Sequence, residues 1–334
     1  MNKDSQAILI LCSNLCVGEG INPLKPSEWR RLARLIFDNG LTPGSLLDMN
    51  TDLFISELGL DADYSNRLER LIGRSASLFF EVSKYENMGI SIITRADAGY
   101  PQRIKKKLGD SCPPYFFYAG DLSLLKKRGV GFVGSRALVE ADIDFETSLV
   151  KKVIKGRYAV ISGGARGADT ISENVAISHG GYMIEFLPNS MLHKLQKSET
   201  IKAVQKGRLL LLSVPNPDAG FTVGNAMSNN KYIYAQADAV IAIKSFERGG
   251  TWSGVVEGLK HKYCPIFCWD NSDYKDNLEL IEKGAIPIGE EWSVKDVEKA
   301  SKKLSEERYD CEKVGQDKLE LELETGRQLS LFNK

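Results

Sequence analysis

Apolar and polar positions fall into two regimes along this chain. Up to about residue 88 the apolar residues recur at three- and four-residue spacing, which predicts short helices. One is expected from Pro26 to Asn39, with Trp29, Leu32, Leu35 and Ile36 on a single face. Another pair is expected in DLFISELGLDADYSNRLERLIGR, where a glycine-centred turn separates two short apolar segments. From Tyr115 the pattern changes to compact apolar runs, YFFYA, VGFVG, YAVISG, YMIEFL, LLLLSV, AVIAIK and PIFCW, each followed by a stretch of helical periodicity. Short runs alternating with helices predict parallel strands joined by crossovers. The expected fold class is therefore α/β: a Rossmann-like, doubly wound, mostly parallel sheet, with a small helical N-terminal domain and a short charged C-terminal segment. Such a sheet gathers its binding groups in loops at the carboxyl ends of its strands.

The same pattern divides the chain into residues 1–88, a helical accessory domain; 89–290, the α/β domain; 291–325, a charged segment containing VKDVEKASKKLSEERYD; and 326–334, a flexible tail. The turn-linked helix pair resembles a helix-hairpin-helix or SAM-like module, and a helical accessory domain with no DNA contact fits the pattern equally well.

Composition narrows the chemistry. The 334 residues are 43% hydrophobic, ample for a buried core. Lysine plus arginine, at 44, equals aspartate plus glutamate, at 44, so no global basic field exists and a polyanion must be met by a local patch. The stretch from Arg103 to Arg157 offers one, with twelve bases against six acids. Six cysteines without CxxC spacing and only three histidines predict no zinc site and reduced thiols, as in a cytoplasmic protein. The apolar start AILILC is too short to span a bilayer and lacks the flanks of a signal peptide, so no membrane association is expected.

Gly129, Gly131 and Gly134 spell GxGxxG, but Gly131 falls inside the predicted strand VGFVG and only Gly134-Ser135-Arg136 sit beyond it, the wrong place for a dinucleotide fingerprint. No GxxxxGK[ST] run occurs, and no cofactor is expected. Two strand ends remain: Gly134-Ser135-Arg136, and Ser162-Gly163-Gly164-Ala165-Arg166-Gly167-Ala168-Asp169. Glycines admit close backbone approach, amides at a helix start attract anions, and each loop adds a hydroxyl and a guanidinium. Together the loops predict a phosphate cradle. Asp169 is expected to cap the following helix or to orient an arginine.

At these residues the chain resembles the DprA (Smf) family, in which a VGSR strand end and an SGxARGxD loop occur together. Tyr100-Pro101 with PPYFFYAGD, then VGNAMSNNKYIYAQADAVIAI, then GGTWSGVVEGLKHKYCPIFCW resemble further family segments in the same order, over roughly residues 95 to 290. Two departures mark a divergent branch: Glu173 stands where the family usually has histidine, and its RNR triplet appears as Asn229-Asn230-Lys231. The resemblance implies a non-enzymatic, single-stranded DNA-binding protein that dimerises and acts in DNA processing, recombination or natural transformation by loading the RecA recombinase, or in phage defence. It adds Asn230 and Lys231 to the DNA-contacting residues. Phe221, Tyr232 and Trp252 are candidate base-stacking aromatics.

The alternative is an enzyme. Related nucleotide phosphoribohydrolases carry PGGxGTxxE, and the run Arg248 to Glu257 is a partial echo. Glu257 would then assist water in an N-glycosidic hydrolysis beside the same cradle. Lastly, Gln328-Leu329-Ser330-Leu331-Phe332 matches the bacterial sliding-clamp-binding pentapeptide, and a short apolar peptide near a chain end suits insertion into a partner's pocket.

Overall fold

The structure is a computed structural model and describes residues 1–307 apart from Glu19 and Arg248; the predicted tail, with Gln328 to Phe332, lies outside the described residues. All seven apolar runs form strands: β2 (Tyr115–Ala119), β3 (Gly129–Val133), β4 (Ala159–Ser162), β5 (Met183–Phe186), β6 (Leu209–Ser213), β7 (Ala239–Ala242) and β8 (Ile266–Trp269). Two more, β1 (Ser91–Thr94) and β9 (Ile286–Ile288), complete a nine-stranded sheet ordered β1-β2-β6-β5-β4-β3-β7-β8-β9. Pairing is parallel from β6 through β9, and antiparallel where β2 meets β6 and β1 meets β2. Every residue of β3, β4, β5, β6 and β7 is buried, as strands covered on both faces must be. That double burial is why their sequences read as unbroken apolar runs.

Alternate strand residues feed two cores. Val130, Phe132 and Val160 pack with helices Glu140–Lys155 and Ala168–Ser178, whereas Val133, Ala159 and Ile161 pack with helices Gln102–Leu108, Val223–Gln236 and Gly250–His261. This is the doubly wound arrangement expected. The N-terminal residues form helices Lys3–Cys12, Pro26–Asp38, Thr51–Leu58, Ala62–Gly73 and Ser75–Asn87, with Gly59 in the left-handed conformation at the predicted turn. Trp29, Leu32 and Ile36 are buried and Leu35 is partly buried, in the same core that receives Tyr115 and Phe117 of β2. The buried Arg74 guanidinium donates to the carbonyls of Ile10, Ser13 and Leu15 and so ties the last of these helices to the end of the first.

Residues 294–307, within the charged segment, are helical. Val297 is buried, Glu298 accepts from Arg128 at 2.7 Å and from Tyr158 at 3.2 Å, and Ser301 donates to the Asp238 carbonyl at 3.2 Å. This helix thus lies across the amino ends of β3, β4 and β7. Among the described residues, no helix is long and apolar enough to cross a membrane.

Candidate functional site

The chain runs β3, β4, β5, β6 in one direction across the sheet, then returns to place β7 on the other side of β3. Loops leaving β3 and β7 therefore diverge, and a crevice opens at their carboxyl ends, the usual binding position in sheets of this kind. A cavity of about 430 Å³ occupies it, bordered by Gly134, Ser135 and Arg136 after β3, Ala165, Arg166 and Asp169 after β4, and Phe246 after β7. Helix Val223–Gln236 and the residues before it close the cavity with Phe221, Met227, Asn230 and Tyr234.

The two glycine loops are in direct contact. Gly167 has a φ of 80°, and a methyl there would overlap the Ser135 carbonyl and the Arg136 Cα. Gly134 likewise has no room for a side chain, because Ala168 would lie 2.7 Å from it. The Ala168 amide donates to the Ser135 carbonyl at 3.3 Å, and the Ser135 amide to the Lys244 carbonyl at 2.8 Å, so the loops after β3, β4 and β7 are hydrogen-bonded together.

Much of the polar equipment expected to hold an anion is spent on the loops themselves. The Asp169 carboxylate accepts from the amides of Gly163, at 3.0 Å, and Ala165, at 3.1 Å. It therefore shapes its own loop, rather than capping the helix that follows; that helix has Gly167 at its N-cap and no side-chain cap. Burial pushes the Asp169 carboxyl up to about 6, against the lowering effect of the two amides. The Ser135 and Ser162 hydroxyls accept from the amides of Ala137 and Gly164. Ser162, Gly163, Gly164 and Gly167 set the backbone but do not line the cavity.

What stays available is at the rim. Arg136 and Arg166 are exposed, and among the described residues neither forms a salt bridge. The Arg136 guanidinium lies 5.3 Å from the centroid of Phe221, an aromatic that is half exposed. Phe246 is exposed to the same degree across the mouth. Inside, the Tyr234 side chain is 1% exposed, and its hydroxyl has no hydrogen-bond partner among the described residues. The cavity thus pairs an apolar, aromatic interior with a cationic rim.

Other expected residues fall elsewhere. Asn230 borders the cavity and donates to the Gly250 carbonyl at 3.2 Å, but Lys231, next on the helix, does not border it. Burial holds the Lys231 ammonium below its usual range, with Glu257 opposing. Asn229 is buried and donates to the Phe186 carbonyl at the end of β5. Tyr232 is core, packed against Phe116 and Phe186, and Trp252 is half-buried beneath Lys283. Glu257 does not border the cavity: it lies two turns into its helix, where its charge is felt by Lys231, Tyr234 and Tyr263.

The basic stretch from Arg103 to Arg157 is divided between the two ends of the sheet. Arg103 pairs with Asp238 at 2.8 Å, Arg128 with Glu298 at 2.7 Å, and Lys127 lies over Tyr182. Asp238 precedes β7, Arg128 precedes β3 and Tyr182 precedes β5, so these bases stand at the opposite end of the sheet, partly neutralised. Of the twelve, Arg136 is the one that borders the cavity. Phe246 escaped the sequence reading, although its position two residues beyond the AVIAIK run marks it as a switch-point residue.

Comparison with known proteins gives a consistent picture. The family model described as DNA recombination-mediator protein A matches residues 91–299. The DNA processing protein DprA of Bacillus subtilis (strain 168) is 24% identical over 222 residues, which span 65% of this chain and 73% of that protein. The structure of DNA processing protein A from Streptococcus pneumoniae aligns with a TM-score of 0.56 at 19% identity, covering 79% of this chain and 95% of that one. The Helicobacter pylori protein, whose structure concerns its single-stranded DNA binding mode, aligns with a TM-score of 0.49 at 22% identity over 65% of this chain and 96% of its own.

Proposed function

This chain belongs to the DNA recombination-mediator protein A family of DNA-processing proteins, and from that premise we propose that it binds single-stranded DNA at the crevice between β3 and β7, as a binding protein rather than an enzyme. The observation that carries this reading is the division of labour within one cavity. Asp169 borders its interior, which disfavours a phosphate inside, whereas the exposed Arg136 and Arg166 stand at its rim. Phosphates therefore ride on the rim, and an unpaired base enters among Phe221, Met227 and Phe246 with its polar edge toward Tyr234. A duplex keeps its bases stacked and offers none to the cavity.

The test is a titration of labelled single- and double-stranded oligonucleotides over a range of salt. Arg136→Ala and Arg166→Ala should each weaken single-strand binding by about tenfold, as removal of a charge-assisted hydrogen bond does. Equal binding by wild type and both variants would exclude the crevice.

The hydrolase alternative loses its support, since Glu257 does not border the cavity beside which it would have to act. Three finer elements extend the proposal. Dimerisation and RecA loading follow from the family resemblance and are tested by sedimentation and by RecA filament assembly on coated DNA. Tethering to the sliding clamp follows from Gln328 to Phe332, and removal of residues 328–334 should abolish binding to purified clamp. A role in transformation, recombination or phage defence is separated by deleting the gene and scoring each phenotype.

A further inference from the structure

Arg166, which stands at the rim of the cavity, also borders a second concavity. On the face covered by helices Ala168–Ser178 and Ser198–Gln205, a groove of about 1000 Å³ extends from Gly164 and Arg166 to Arg208, just ahead of β6. One bank is neutral, presenting Thr170, Asn174 and Ser178. The other presents Lys197, Lys202, Lys206 and Arg208, all exposed, and among the described residues none of these four forms a salt bridge. Glu199 is the one exposed acid beside them.

The floor adds little negative charge. Lys194, 8% exposed, donates to Glu173 at 2.6 Å and to Glu185 at 3.2 Å. Burial pushes the Glu185 carboxyl up, with Lys194 pulling the other way, and the Lys194 ammonium between the two carboxyl groups offsets the charge that they carry. This is also where Glu173 acts: it balances a buried lysine instead of facing the cavity. Five exposed basic side chains, counting Arg166, thus stand against Glu199 along one concave path. Among the described residues, no Phe, Tyr or Trp lines it.

We propose that this groove carries the phosphate backbone of a second segment of the same single-stranded nucleic acid, continuing beyond Arg166. The proposal rests on the reading of the crevice given above. Continuity through Gly164, Ala165 and Arg166 supplies the path, and the lysines and arginines of the bank supply the charge complementarity. A groove without aromatic rings follows the backbone and leaves bases unstacked, so this segment is read without regard to sequence.

The decisive variant is Lys202→Glu/Lys206→Glu, which replaces two exposed residues with another good helix former. Its control is Lys151→Glu/Lys155→Glu, the same charge change at exposed sites near the end of helix Glu140–Lys155. Binding is read by fluorescence anisotropy on oligothymidylates of on the order of 5 and 20 nucleotides, lengths that bracket typical single-strand site sizes. The groove variant should bind the short strand as wild type does, and the long strand about tenfold more weakly. Its log affinity against log salt should be shallower by roughly 1.4 on the long strand, because two phosphates are no longer neutralised. Unchanged binding of the long strand would overturn the groove while leaving the crevice intact if Arg136→Ala is still impaired. Equal weakening by the control variant would also overturn it, since net charge alone would then explain the effect. Failure of wild type to bind, or indifference to Arg136→Ala, would overturn the crevice reading and this proposal together.

Discussion

A methyl group on Gly167 would stand 2.2 Å from the carbonyl oxygen of Ser135. The two glycine loops are thus in backbone contact, and the left-handed φ of Gly167 is what lets them approach. Gly167→Ala should separate the loops, at a cost on the order of 1–3 kcal/mol in stability, and it should weaken DNA binding although no DNA-facing residue has changed. Thermal melting and the same oligonucleotide titration check this; a variant with wild-type melting and affinity would show that the loops can part without consequence.

Asp169 makes stability depend on pH in an unusual direction for a carboxylate. Its folded-state pKa, about 6, exceeds the ordinary 3.8, so between those values the folded protein holds more protons than the unfolded chain. Stability therefore falls as pH rises from about 4 to about 6, and the loss persists above that. The size is roughly 3 kcal/mol at 1.36 kcal/mol per pH unit. Asp169→Asn keeps an oxygen for the Gly163 and Ala165 amides without the buried charge, so relative to wild type it should gain stability between pH 4 and pH 7. Asp169→Ala strands both amides and should be destabilised at every pH. Parallel denaturant curves for wild type and Asp169→Asn at the two pH values would refute the assignment.

Tyr234 tests whether a base enters the cavity. Its buried hydroxyl lacks a partner among the described residues, so Tyr234→Phe should cost the folded protein little, and it should weaken single-strand binding by about three- to tenfold through one missing hydrogen bond. Phe246→Ala removes a half-exposed ring, and it should weaken binding by on the order of 1–3 kcal/mol with no change in salt slope. A slope altered by Phe246→Ala would mean that phosphates, not bases, meet the ring.

The sheet was legible because its central strands are buried on both faces and read as plain apolar runs. β1 and β9 were not: β1 has four residues, and β9 is an edge strand of three with Pro287 at its centre. The glycine loops and their arginines were legible from residue type alone. Which end of the sheet a basic residue reaches was not, since a linear count of charge from Arg103 to Arg157 joins residues at opposite ends of the strands. Neither was the fate of Asn230 and Lys231, adjacent on one helix, where a rotation of about 100° sends one to the cavity and the other away. Asp169 accepts from its own loop's Gly163 and Ala165 amides instead of capping the helix, a choice among donors that residue spacing does not express.

Arg74 gathers three carbonyls at the far end of the first helix, and the helices that it clasps share one core with Tyr115 and Phe117 of β2. Tyr85 lies edge-on to Phe117 across that boundary, with ring centroids 6.1 Å apart. Heat or denaturant should therefore melt helices and sheet in a single cooperative transition. A lineage that exchanged the first 88 residues for another module would have to redesign, at the same stroke, the face of the second strand that these helices cover.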